Sequence, residues 1–215
     1  MPDRDYPCPM QSRQPSFSPA ARLLALGVSG VALVALLAQF RVSQRLLGEA
    51  PAGHALWLMA GYFTILTNLG ASFLMAGVAA GLRPGARAFA ALVVAIVMVA
   101  LVYHLVLARL WQPQGLAWWA DQGLHSAVPL LTLGWWLAFA QGGLTRRDLP
   151  ALLIWPAAYA AYALLRGHLT GFWPYPFLDA DALGWLRVAV NTGGLVAGFA
   201  LLGTGLIALS RRSVR

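Results

Sequence analysis

Ala88 to Leu110 reads AFAALVVAIVMVALVYHLVLARL, a run whose only charged residue is Arg109. A helix of about 20 mostly apolar residues spans the hydrocarbon core of a bilayer, and this run has that length. Five runs of similar character flank it: Ala21 to Phe40, Leu56 to Leu82, Trp119 to Gln141, Leu149 to Leu169 and Leu186 to Leu209. The expected fold is all-α, a polytopic membrane protein built as a six-transmembrane-helix bundle. Composition agrees, with 60% of the 215 residues hydrophobic, 10% charged and a mean hydropathy of +0.68. Soluble domains carry roughly a quarter of their residues as charged side chains.

The expected organisation has three parts: a disordered cytoplasmic tail over residues 1–18, a six-helix transmembrane domain over 19–210, and a basic cytoplasmic C-terminus over 211–215. The tail is proline-rich and polar, without a hydrophobic run, and is not expected to act as a cleavable signal peptide. It holds Cys8, the only cysteine, which excludes an intrachain disulfide and a cysteine-based metal site. The net charge is +8, and every basic residue is arginine. These arginines are scattered over short loops rather than gathered on one face, so no nucleic-acid partner is expected. Arginine-only basic usage with abundant alanine suggests a GC-rich bacterial genome, and hence a bacterial inner membrane.

With six spans, both termini lie on one side, together with Arg22, Arg83, Arg87, Arg146 and Arg147. Fewer arginines, among them Arg41, Arg45 and Arg187, fall on the other. The positive-inside rule then puts both termini in the cytoplasm. The four histidines, His54, His104, His125 and His168, all fall in the outer half of such a bundle. His54 and His168 are expected at the interface, and His104 and His125 roughly 10 Å deeper along their helices.

Several constellations can carry chemistry. Gly61, Thr64, Asn68 and Ser72 share one helical face and are expected to point into the bundle, because polar groups facing lipid are costly. They serve either as local backbone bonds and helix glue or as part of a site. His125 lies four residues before Pro129, which removes a backbone donor and is expected to bend the helix. It is either structural or a proton carrier near neutral pH. Tyr159, Tyr162 and Arg166 form a polar stripe, in which Arg166 pairs with Asp179 or Asp181 or anchors a substrate carboxylate. The segment after it, with Trp173 and Tyr175 among two prolines, is expected to lie at the membrane surface over the bundle mouth. Asn191 sits near the outer end of the last span.

Three segments together resemble the androgen-induced protein family and its bacterial relatives. They are Tyr62-Phe63-Thr64, Gly123-Leu124-His125-Ser126 with Pro129, and His168-Leu169-Thr170-Gly171-Phe172-Trp173-Pro174-Tyr175-Pro176-Phe177-Leu178. The resemblance implies a membrane-embedded threonine hydrolase. Animal members cleave fatty acid esters of hydroxy fatty acids with a threonine nucleophile and a histidine partner. By motif position these are Thr64 and His125.

A threonine hydroxyl becomes a competent nucleophile when a base takes its proton, and histidine is the usual base. The expected arrangement is a dyad rather than a triad, with Asp121, one turn before His125, the nearest acid. Asn68, His104 or a tyrosine would donate to the oxyanion, and Tyr62, Arg166, Trp173, Tyr175 and Asn191 would support substrate binding. The expected partner is a membrane lipid or lipid ester, with no cofactor and no metal; the oligomeric state is open. Two other classes compete: a metal or haem protein ligated by histidines, and a non-enzymatic membrane scaffold.

Overall fold

The computed structural model describes residues 17–140 and 142–212. Most of the expected N-terminal tail, with Cys8, lies outside the described residues, as do residues 213–215. Phe17 and Ser18, assigned to that tail from sequence, belong to the folded body. Ser18 accepts a hydrogen bond from the amide of Ala21 and caps the first helix. The Phe17 ring packs edge-on to Trp135, with 5.2 Å between centroids.

The described chain is helical throughout. Helix α1 spans Pro19–Leu46, α2 Ala52–Met59 and α3 Phe63–Ala79. Helix α4 runs over Ala86–Val102 and continues into a π-helical turn, Tyr103–Leu107. Helix α5, Leu116–Gln122, passes through a second π-helical turn, Gly123–Ala127, into α6, Val128–Phe139. Helix α7 spans Leu149–Thr170, the short α8 Ala180–Leu183, and α9 Trp185–Arg212.

Four helical stretches are long and apolar enough to cross a membrane: Pro19–Leu46, Ala86–Leu107, Arg146–Thr170 and Trp185–Ser210. A fifth is reached if α2 and α3, which meet at 97°, count as one broken span. Length and composition therefore do not reproduce the expected count of six. The expected span from Trp119 to Gln141 is the one missing, because Asp121, Gln122, His125 and Ser126 dilute its apolar content. The expected continuous helix from Leu56 to Leu82 is instead α2, a break, and α3.

Helix α4 is the centre of the bundle. Its successive residues Val93, Val94, Ala95 and Ile96 are all fully buried, which a helix achieves only when every side is covered. Its neighbours are α3, α6, α7 and α9. Helix α1 lies against α3 along a face of small residues, Ala21, Ala25, Ser29, Ala32 and Ala35, all buried. Small side chains let two backbones approach closely, the usual solution where the surrounding medium is itself apolar. Ser29 then donates to the carbonyl of Ser72 at 2.9 Å, and Trp135 of α6 donates to the carbonyl of Ala21 at 2.8 Å. The opposite face of α1 exposes Leu23, Leu26, Leu33 and Val34, and α9 likewise exposes Leu186, Val190 and Leu201. Surfaces so rich in uncovered leucine and valine fit lipid contact.

The small-residue seam makes a paired prediction. Ala32→Leu overfills the α1–α3 contact and is expected to cost about 1–3 kcal/mol, read as a lower melting temperature in detergent. Leu33→Ala, at an adjacent position that is 50% exposed, is expected to leave the melting temperature nearly unchanged.

Candidate active site

The site is built around the break between α2 and α3. Where a helix ends inside an apolar bundle, its last carbonyls lose their partners and need others. The polar stripe of α7 supplies them. Tyr159 donates to the carbonyl of Gly61 at 2.8 Å, Tyr162 to that of Ala60 at 3.2 Å, and the Arg166 guanidinium to that of Trp57 at 2.8 Å. Arg166 also donates to the Tyr162 hydroxyl at 3.0 Å.

Arg166 is only 5% exposed. Its charge lies over the Trp57 and Phe172 rings, 4.1 and 4.6 Å from their centroids, so two cation–π contacts and a helix C-terminus balance it. Its Nε is buried without a hydrogen-bond partner among the described residues. The carboxylates expected beside it are engaged elsewhere. Asp179 caps α8 through the amide of Ala182, and Asp181 accepts from the Trp173 indole. Gly61 is required at the break, because a Cβ there would lie 2.5 Å from the Phe172 ring and 2.8 Å from the Arg166 guanidinium.

The break puts Thr64 in the first turn of α3 rather than two turns into a longer helix. Thr64, Asn68 and Ser72 do share a buried face, as their spacing predicts. Thr64 Oγ1 lies 3.4 Å from His125 Nε2. The other imidazole nitrogen, Nδ1, faces two acceptors of Asp121: the backbone carbonyl at 3.1 Å and carboxylate Oδ1 at 3.2 Å. Two acceptors at Nδ1 place the proton there, so Nε2 presents its lone pair to Thr64. The second Asp121 oxygen accepts from the Tyr103 hydroxyl, and the Tyr103 ring stacks on His125 at 4.0 Å. The result is a threonine–histidine–aspartate line with a tyrosine fixing its far end. Asp121 as a third member departs from the expected dyad.

Both π-helical turns serve this arrangement. A π turn widens the helix by one residue and re-aims its side chains. Tyr103 and His125 each lie in such a turn and face one another, while the residues next to them, His104 and Ser126, turn outwards. His104 Nε2 bonds Ser126 Oγ at 3.1 Å, and Ser126 donates to Gln122 Oε1 at 3.1 Å. His104 is therefore exposed and directed away from Thr64. The π turn ends two residues before Pro129, the position at which a bend is expected from sequence.

The remaining expected residues separate by position. Asn68 is fully buried, but its amide donates to the carbonyls of Thr64 and Leu124 at 2.8 and 3.2 Å. It ties α3 to the second π turn, and its donors are committed. Tyr175 stands beside Thr64, its hydroxyl 3.4 Å from the Thr64 amide. Burial pushes the Tyr175 hydroxyl above the usual phenol range, so it keeps its proton.

Tyr62 packs edge-on between Phe172 and Tyr175. Trp173 lies flat over Gly167, where a Cβ would come within 2.2 Å of its ring. Asn191 donates to the carbonyl of Phe177 at 2.9 Å and pins the segment after α7 to α9. His54 and His168 are exposed and far from the line. No group of three His, Cys, Asp or Glu residues among those described is arranged to hold a metal ion.

Thr64 also lines a cavity of about 130 Å³ between α3, α4, α7 and α9. Its walls are almost entirely apolar, with Tyr159 and Tyr175 beside Thr64 at the polar end. No protein-family model, curated protein or solved structure matches the chain.

The caps on the α2–α3 break are testable. Tyr159→Phe leaves the buried Gly61 carbonyl without a donor, and Arg166→Met removes the half-buried bond to the Trp57 carbonyl, at an expected cost of about 1–3 kcal/mol apiece, measured by thermal denaturation in detergent. Arg166→Lys is not expected to restore stability, because a single ammonium cannot serve two acceptors in the guanidinium's planar geometry.

Proposed function

We propose that this chain is a membrane-embedded ester hydrolase acting on lipid esters. In this reading Thr64 is the nucleophile, His125 the general base and Asp121 the group that orients it. The observation that carries the proposal is the line from Thr64 Oγ1 through the His125 imidazole to the Asp121 carboxylate. The Thr64–His125 separation is long for a strong hydrogen bond, which is common in sites without substrate. The motif resemblance to the androgen-induced protein family points to the same two residues independently of the geometry.

The chemistry follows from the atoms in place. His125 Nε2 accepts the Thr64 proton as Oγ1 attacks the ester carbonyl. Asp121 keeps the imidazole in the right tautomer and stabilises its protonated form. The carbonyl oxygen gains negative charge and needs donors. Tyr175 carries one, and the first turn of α3 offers amides, such as that of Ile65, with no acceptor inside the helix. Protonated His125 then gives its proton to the leaving alcohol oxygen. A water activated by the same imidazole releases the acid from Thr64. An apolar bundle suits such substrates, because the ester reaches Thr64 from the lipid phase without entering water.

The membrane arrangement belongs to the same proposal. The chain crosses the membrane six times, with Leu116–Phe139 as a polar fourth span and α2–α3 as a broken second. Both termini are cytoplasmic, and the site lies in the outer half.

A fluorophosphonate probe on purified protein tests the nucleophile. Wild type is expected to label, with labelling lost in Thr64→Ala and kept in Thr64→Ser. Equal labelling of Thr64→Ala and wild type would overturn the assignment. Asp121→Asn is expected to lower ester hydrolysis by about 10²–10⁴-fold. Its pH–rate profile should also change, which loss of packing alone would not produce.

A further inference from the structure

We infer that the cavity beside Thr64 holds the acyl chain of the ester and that the alcohol stays outside it. This rests on the hydrolase reading and adds which half of the substrate the bundle measures. In the tetrahedral intermediate the former carbonyl carbon bears four groups: Thr64 Oγ1, the oxyanion, the alcohol oxygen and the acyl carbon. Each must be placed.

The alcohol oxygen receives a proton from His125 Nε2, so it lies on the His125 side. His125, Asp121 and Tyr103 are not among the cavity's lining residues. The oxyanion turns towards Tyr175 and the first turn of α3. The direction left for the acyl carbon is the cavity, where Thr64 is itself a wall residue. Beyond the two tyrosines the walls are hydrocarbon, among them Met98, Val102, Leu153 and Phe199, apart from the single hydroxyl of Thr192, which is buried without a partner among the described residues. A chain of methylenes fits such walls, and a charged group would lose most of its hydrogen bonds there, with one threonine hydroxyl to replace them.

On the alcohol side the surroundings are different. The His104–Ser126–Gln122 chain of hydrogen bonds, with His104 exposed and the other two half-buried, lies beside the π turns that carry Tyr103 and His125. A polar alcohol is expected to be tolerated on this side, which carries hydrogen-bonding side chains and the exposed His104. The enzyme therefore selects its substrate by acyl length, and only loosely by alcohol.

The covalent steps balance without a further reactant. The Thr64 Oγ1–acyl bond forms as the acyl–alcohol bond breaks, and the threonine proton leaves on the alcohol. Water then supplies the oxygen and proton that release the acid and restore Thr64.

The test uses full-length protein in detergent and two substrate series: p-nitrophenyl esters of increasing acyl length, and acetate esters of increasing alcohol length. Ala160 faces the cavity from α7, and Ala160→Phe should fill part of it. The octanoyl-to-acetyl ratio of kcat/KM is expected to fall about 10-fold or more, since one methylene in a tight pocket changes selectivity by roughly that factor. Met98→Ala, which enlarges the same wall, is expected to move the preferred acyl length upwards. Opposite shifts from the two variants separate a change of pocket from a loss of fold.

Acyl ratios unmoved by both variants would overturn the inference, as would a shift seen only in the alcohol series. A wild type without Thr64-dependent hydrolysis would overturn the hydrolase reading, and this inference with it.

Discussion

A helix that stops inside an apolar bundle leaves carbonyl groups with nothing to bond, and water is not there to take them. The break between α2 and α3 creates three such carbonyls, at Trp57, Ala60 and Gly61, and Arg166, Tyr162 and Tyr159 of α7 meet them one for one. Much of the site follows from that arrangement. The break starts α3 at Phe63, which puts Thr64 in a first turn whose amides have no acceptor inside the helix, that of Thr64 turning to the Tyr175 hydroxyl. Capping from α7 draws that helix against the break and forms one wall of the cavity. Phe172 closes over Arg166 on the other side, which brings the segment carrying Tyr175 down onto Thr64.

The two π-helical turns provide the second half of the geometry. In a regular α-helix only one face of α4 or α5 would look towards α3. The extra residue in each turn lets Tyr103 stack on His125 while their neighbours His104 and Ser126 bond one another outside. The two widened turns thus put an inward pair, Tyr103 and His125, at positions adjacent to an outward pair, His104 and Ser126. Asp121, 6% exposed, is held by contacts of its carboxylate to both members of the inward pair.

The sequence makes the membrane character and the buried face of Thr64, Asn68 and Ser72 legible, because hydropathy and helical spacing report them directly, whereas the pairing of Thr64 with His125 is suggested only by the motif resemblance. It conceals features that depend on how a helix is interrupted. Nothing in Leu56 to Leu82 looks unlike a continuous span, since Ala60, Gly61 and Tyr62 are all tolerated in membrane helices. The break shows only through its caps, and the stripe of Tyr159, Tyr162 and Arg166 was the available signal. Its spacing showed that the residues share a face but not what they bond. Asp121 was readable by its four-residue separation from His125 on one helix. Tyr103 was not, because its approach depends on a π turn that leaves no mark in composition. Depth along the helix sets His104 level with Thr64 but does not show that it is exposed and bonded to Ser126.

The caps on the break also bear on how the protein is made. Tyr159, Tyr162 and Arg166 lie 98, 102 and 109 residues beyond the carbonyls they bond. A chain inserted from its N-terminus therefore delivers α2 and α3 to the bilayer long before their partners exist. Until α7 arrives, the bend would leave its carbonyls bare in hydrocarbon, so the early chain is better served by a straight helix or by a bend held at the headgroups. Arrival of α7 then makes the kink affordable, and biogenesis assembles the turn that carries Thr64 among its last steps.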